Sequence, residues 1–308
     1  MKKNNLHSEE IFIPVTATDT LHLKRFYGSD SSGIPVLLVH GSIENGRIFY
    51  SKSGKGFAPY MAAQGYDVFV ADLRGRGKSK PAISGTSEFG LSHTLQEDFP
   101  AIISKIKELK GDVPQLWGAH SWGGVLMLAY LARPVEPVQV SAMVFFASKR
   151  RISIRSPKKF FMVDMVWNWF SRSVIAVKGY LPAKALNIGS DSESKGTHQQ
   201  TQAWVVQKKW LDWNDGFDYA AALQQMEVPP TLYLTGIEDD VLGHRTDVEK
   251  LMRETGCRNC QFKVLSKANG NLHNYDHINI LTHKEAGQDH FPEVVQWFQK
   301  HGQQQPAD

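Results

Sequence analysis

The chain has 308 residues, 42% of them hydrophobic, 21% charged and 11% aromatic, which is the make-up of a folded globular protein and excludes a disordered tail or a repeat array. Thirty-five basic side chains against 31 acidic ones leave a net charge of +4, too small an excess to indicate nucleic acid as a partner. The one basic cluster is Lys149, Arg150, Arg151, Arg155, Lys158 and Lys159, which reads as a solvated loop.

Cys257 and Cys260 have C-x-x-C spacing, but no second pair completes a zinc site and no βαβ unit follows as a redox motif requires. Neither metal nor redox chemistry is expected of them, and such sparse cysteine fits a reducing compartment. Met1 to Glu10 lacks the apolar stretch of a secretory leader, so the expected location is cytoplasmic.

Ile11 to Ala17 and Leu21 to Tyr27 read as two strands joined at Thr18-Asp19-Thr20, forming a hairpin at a sheet edge. Pro35 to Val39 is a short apolar run of the kind covered on both faces. Gly56 to Gln64 is a helix closed by Gly65, and Asp67 to Ala71 a further strand. Leu95, Phe99, Ile102, Ile103, Ile106 and Leu109 mark an amphipathic helix with Pro100 in its first turn. Gln115 to Ala119 is a strand, Trp122 to Ala132 a helix and Val140 to Ala147 a strand. After an interruption the alternation resumes with strand Thr231 to Thr235, helix Thr246 to Glu254, strand Gln261 to Leu265 and helix Phe291 to Lys300.

Eight strands alternating with helices imply an α/β fold, mostly parallel, with helices on both faces and its chemistry beyond the carboxyl ends of the strands. The expected organisation is a core of residues 1–147 and 229–308, with 148–228 inserted after the sixth strand as a helical cap. That insertion contains Trp167, Trp169, Trp204, Trp210 and Trp213, expected mostly to dock it on the core. Within it, Phe160 to Phe170 reads as an apolar helix closed near Ser171-Arg172, too short to span a bilayer. With the basic cluster upstream, contact with a membrane surface is a secondary expectation. Asp191 to Gly196 reads as a flexible polar loop.

Gly118-Ala119-His120-Ser121-Trp122-Gly123-Gly124 lies between a predicted strand and a predicted helix, the setting of a nucleophile elbow. Ser121 falls at the turn, where Ala119 and Gly123 supply the small side chains that so tight a turn needs. An oxyanion hole calls for two N–H donors. The backbone N–H of Trp122, at a helix N-terminus, is one, and that of Ser42, after His40-Gly41, is the other, with His40 ordering the loop. An acid should follow a later strand, and the run Glu238-Asp239-Asp240 offers Asp239, with Asp240 and Glu238 as alternatives. Of five late histidines, His277 stands where the loop can turn back over the sheet, with His273 the alternative; His283, His290 and His301 read as surface residues near the last helix.

These residues together resemble the α/β-hydrolase superfamily, in its serine branch of lipase- and esterase-like proteins, with serine, acid and histidine in that chain order. The carriers are Val36 to Gly41, the Asp72 to Ser79 run, the serine elbow, Gly236 with Asp239, and the His277 segment. Alanine at position 119, where the usual pattern has glycine, is a departure. Serine at the elbow separates the chain from dehalogenases and epoxide hydrolases, which place aspartate there. The resemblance implies hydrolysis of a carboxylic ester by Ser121, His277 and Asp239, with no metal and no organic cofactor; the alternatives are acyl transfer or thioester, amide or carbon–carbon hydrolysis on the same triad, and a non-catalytic protein that binds a hydrophobic ligand. The expected substrate is a small ester with an apolar group, fitted under the tryptophan-rich cap.

Overall fold

The computed structural model describes residues 6–29 and 31–302; the first five residues of the segment read for a leader lie outside them. Eight strands make one sheet: β1 (His7–Pro14), β2 (Thr20–Tyr27), β3 (Pro35–Val39), β4 (Asp67–Asp72), β5 (Gln115–His120), β6 (Val140–Phe146), β9 (Thr231–Gly236) and β10 (Cys260–Leu265), with β7 (Tyr180–Leu181) and β8 (Glu193–Ser194) pairing apart from it. The order across the sheet is β1-β2-β4-β3-β5-β6-β9-β10. Strand β2 is antiparallel to both neighbours, and the rest are parallel. The hairpin at the edge and the apolar central strands are therefore in the expected order, although β1 runs from His7 to Pro14 rather than from Ile11 to Ala17.

Period-two alternation divides the core into two layers. Leu37 and Val39 of β3 join a cluster with Phe99, Ile103, Trp117 and Leu128 on one face. Val36 and Leu38 join Phe57, Met61, Val294 and Phe298 on the other. The helices covering these faces are α1 (Phe57–Ala63), α2 (Phe99–Lys110), α3 (Trp122–Ala132), α7 (Arg245–Glu254) and α8 (Phe291–His301). Each fully buried aliphatic side chain in such a layer is worth about 1.5–3 kcal/mol of transfer free energy.

Two helices differ from expectation. Helical structure begins at Leu91 rather than Leu95 and runs through a π-helical stretch, Thr94–Asp98, before α2. Pro100 nevertheless falls in the first turn of α2, as expected, and the wider π register ahead of it leads into the position where its missing N–H would otherwise break the ladder. Likewise, Phe160–Phe170 is π-helical and does not close at Ser171-Arg172, but continues as α4 (Ser171–Lys178) to a left-handed Gly179. Among the described residues no helix is long and apolar enough to cross a membrane.

The segment between β6 and β9 also carries α5 (Lys195–Val206) and α6 (Tyr219–Gln225). Trp204 and Trp210 are buried with Trp122 and Tyr219 in the first core cluster, whereas Trp169 and Trp213 face outward. Asp191 to Gly196 is not a free loop. The Asp191 carboxylate accepts from Gly77 N (2.6 Å) and Asn45 Nδ2 (3.1 Å), the wholly buried Glu193 pairs with Arg76, and Ser194 caps α5 through Thr197 N at 3.1 Å. Its polar composition reflects these partners, all more than 100 residues away or at a helix cap, which local patterning does not reveal. Cys257 and Cys260, whose sparseness suggested a reducing compartment, form a disulfide leading into β10.

Candidate active site

Ser121 follows the last residue of β5 and precedes the first of α3, with φ 50° and ψ −117°, a conformation that costs a non-glycine residue of order 1–3 kcal/mol. The surroundings enforce it. Ser121 N donates to Phe146 O of β6 at 2.8 Å. A Cβ on Gly123 would lie 2.4 Å from Val39 O and 2.7 Å from His40 O, so only glycine lets α3 start this close to β3. The serine side chain is thereby held above the carboxyl ends of the central strands, with the residue only 6% exposed.

His277 reaches Ser121 from the loop beyond β10, with Nε2 3.0 Å from Oγ. Its Nδ1 lies 2.5 Å from Asp239 Oδ2. Asp239 follows β9, and its other oxygen accepts from Gly243 N at 2.8 Å. Burial opposes the Asp239 charge but is outweighed by the His277 interaction, the Gly243 N–H and nearby Lys149, which keep its pKa below the ordinary carboxylate value. An ionised Asp239 only accepts, so His277 Nδ1 donates to it and a neutral His277 presents a bare Nε2 to the serine hydroxyl. Burial lowers the His277 pKa, helped by His120 and Lys149 and opposed by Asp239.

The loop after β3 lies against the nucleophile: a Cβ on Gly41 would come 2.9 Å from Ser121 Cβ. Ser42 follows in this loop, and Ile43 takes a left-handed φ of 50°. His40 orders the loop as expected, Nδ1 donating to Gly41 O at 2.8 Å and Nε2 accepting from Leu73 N at 3.2 Å. Complete burial, with Arg76 nearby, brings its pKa down to about 4, so the ring is neutral near pH 7. Trp122 opens α3, where its N–H has no carbonyl one helical turn before it.

The arrangement has many structural parallels. The alpha/beta hydrolase fold family matches residues 34–172. The chain has the α/β-hydrolase fold. No curated protein sequence matches it. Among solved structures it is similar to the candidate lipase Lip1 of Acinetobacter baumannii AYE, at 19% identity and TM-score 0.61 over 96% of this chain and 92% of the other. It is also similar to the thioesterase domain of the curacin biosynthetic pathway, at 18% and 0.57 over 94% and 99%. An esterase from Thermogutta terrifontis aligns at 18% and 0.55 over 95% and 99%. At these identities the likeness is one of fold.

The structure brings Ser121, His277 and Asp239 together and leaves the alternatives outside. Glu238 and Asp240 are exposed, the latter paired with Lys158 at 2.9 Å. His273 is bonded to Glu285 at 2.6 Å. His290, read as a surface residue, is 1% exposed, its Nε2 donating to Ile280 O at 2.7 Å.

Two residues at the site escaped the sequence reading. His120 Nε2 donates to His277 O at 2.8 Å, and its Nδ1 is 2.8 Å from Glu44 Oε2, which also accepts from Gly41 N at 2.9 Å. Burial alone would neutralise both. The mutual attraction reverses this, raising the His120 pKa and, with help from His277 and His40, bringing Glu44 down to about 2. The pair ties the loop carrying His277 to the one carrying Ser42. An acid three residues after His40-Gly41 and a histidine just before the serine were the available signals.

The basic cluster is not simply a solvated loop. Arg150 is wholly buried, bound to Glu254 Oε2 (2.8 Å), Gln207 O (3.0 Å) and Lys208 O (3.1 Å). Lys149 is 6% exposed, with Nζ 3.3 Å from Ser121 Oγ.

Proposed function

We propose that this protein is a serine hydrolase that cleaves a carboxylic ester through an acyl-enzyme. The observation that carries this reading is the unbroken chain Ser121 Oγ, His277 Nε2, His277 Nδ1, Asp239 Oδ2, at 3.0 and 2.5 Å, built at the carboxyl ends of the strands, where open α/β sheets place their chemistry. The fold likeness to lipase-, esterase- and thioesterase-type structures agrees with acyl chemistry.

In the proposed reaction, Ser121 Oγ attacks the ester carbonyl carbon as His277 Nε2 takes its proton. Asp239 holds the ring in the tautomer that can accept, and stabilises the imidazolium that results. The backbone N–H groups of Trp122 and Ser42 receive the charge developing on the carbonyl oxygen. The imidazolium then protonates the departing alkoxide. Water, deprotonated by His277, attacks the acyl-serine; the tetrahedral adduct collapses to the free acid and Ser121 recovers its proton. No cofactor enters this sequence.

Hydrolysis of p-nitrophenyl esters from acetate to palmitate, with Ser121→Ala alongside, tests the reading. Turnover that the substitution lowers by about 10³-fold or more is expected. Turnover equal in the two folded proteins would refute it. The dependence on chain length measures the room left for an apolar acyl group, since neither Trp204 nor Trp210 is free to line it.

A further inference from the structure

The ester-hydrolase reading leaves one buried group at the site without a task. Lys149 lies three residues beyond the end of β6, past Ala147, which takes a left-handed φ of 54°. That turn is built in: Ala147 N donates to Leu234 O at 2.7 Å, and a Cβ on Gly243 would lie 2.6 Å from Ala147 Cβ. The backbone therefore leads Lys149 across the top of the sheet to Ser121, where Nζ donates to Oγ at 3.3 Å.

Among the described residues Lys149 forms no ion pair, and Ser121 Oγ is its one hydrogen-bond partner. Asp239, Glu44 and Asp247 act on it only through space, and each is already committed, Asp239 to His277 and Gly243, Glu44 to His120 and Gly41, Asp247 to Ser153. Lys149 has three donors. A buried ammonium with at most one donor satisfied is costly unless an anion joins it. Burial accordingly lowers the Lys149 pKa, against the pull of those distant carboxylates.

Strand order indicates which anion. Strand β5 lies between β3 and β6, so the Ser42 loop approaches Ser121 from one flank and Lys149 from the other. The carbonyl oxygen belongs on the Ser42 side. An ammonium on the opposite flank, already touching Oγ, faces the remainder of the acyl group once that oxygen becomes the acyl-serine ester oxygen.

We propose that Lys149 forms a carboxylate-binding subsite beside the nucleophile, so that the preferred substrate is a half-ester whose acyl part bears a free carboxylate two or three carbons from the scissile carbonyl. This rests on the proposed function and narrows its substrate class. Lys149 binds and positions; Ser121, His277 and Asp239 do the covalent work. Arg150 next to it has no such freedom, its guanidinium being spent on Glu254 and the carbonyls of residues 204–208.

The test compares ethyl hydrogen succinate with ethyl 4-methylpentanoate, an uncharged ester of similar shape, by pH-stat titration in wild type, Lys149→Met and Lys149→Arg. Wild type should favour the half-ester in kcat/KM. In Lys149→Met the ratio of half-ester to neutral ester should fall by roughly 30-fold or more, the effect of removing one partner of a buried charge pair. Lys149→Arg should recover part of it. A ratio unchanged in Lys149→Met overturns the inference. So does an equal loss on both esters, which would make Lys149 an oxyanion donor or a base. Labelling of Ser121 by a fluorophosphonate without a half-ester preference removes this inference alone, whereas absence of both labelling and turnover removes the proposed function as well.

Discussion

Replacing Glu44 by Gln changes one charge at the centre of the site while keeping the shape of the side chain. Glu44 has a pKa of about 2 in the folded protein against an ordinary 4.5, so its ionised form favours folding at every pH above that ordinary value. At about 1.4 kcal/mol per unit, the difference amounts to about 3 kcal/mol at pH 7. Breaking a buried ion pair by removing one partner costs a similar ~3–5 kcal/mol. The contribution is lost as pH falls from 4.5 toward 2, leaving about 1 kcal/mol at pH 3. Urea unfolding of wild type and Glu44→Gln should therefore differ by about 3 kcal/mol at pH 7, and the gap should narrow by more than half at pH 3. Because His120 holds His277 O at 2.8 Å, ester turnover should fall too. A stability difference below about 1 kcal/mol at pH 7, or one that does not shrink in acid, would refute the buried ion pair.

Further outcomes follow from other parts of the fold. His277 must be neutral to accept a proton, and burial lowers its pKa below the ordinary 6.5, so kcat/KM for an ester should rise with pH through an apparent pKa below that value; a midpoint above it would contradict this. Asp239→Asn should lower kcat by roughly 10³- to 10⁴-fold at neutral pH, measured against wild type in steady-state assays. Gly123→Ala places a methyl 2.4 Å from Val39 O and should destabilise by about 1–3 kcal/mol or more, visible as a lower Tm. Arg150→Met strands Glu254 and three backbone carbonyls, and a loss of about 3–5 kcal/mol in urea unfolding is expected.

The sheet was legible because the central strands are short and mostly apolar, as in Pro35 to Val39, and because Gly65 and Gly111 mark helix ends locally. Ser121 was legible for the same reason: the elbow is a local steric problem, solved by Ala119 and Gly123. Asp239 and His277 came from chain order, and only geometry separates them from Asp240 and His273. What was not legible depends on partners far along the chain. Lys149, Arg150 and Glu193 read as solvated charges, yet are buried by contacts with Ser121, Glu254 and Arg76. Hydrophobicity patterns carry no information on such pairs, since a paired buried charge and a solvated one have the same composition. The tryptophans illustrate the converse: richness in aromatic residues did not distinguish Trp204 and Trp210, inside the core, from Trp169 and Trp213, facing outward.

The proposed chemistry depends on Ser121 being the nucleophile. Treating the folded wild type with a fluorophosphonate and locating the adduct by peptide mass spectrometry tests that directly. A single adduct on Ser121 is expected, formed faster as pH rises through the His277 titration and absent from Ser121→Ala. Wild type that remains unlabelled while folded, or carries the adduct on another serine, would contradict it.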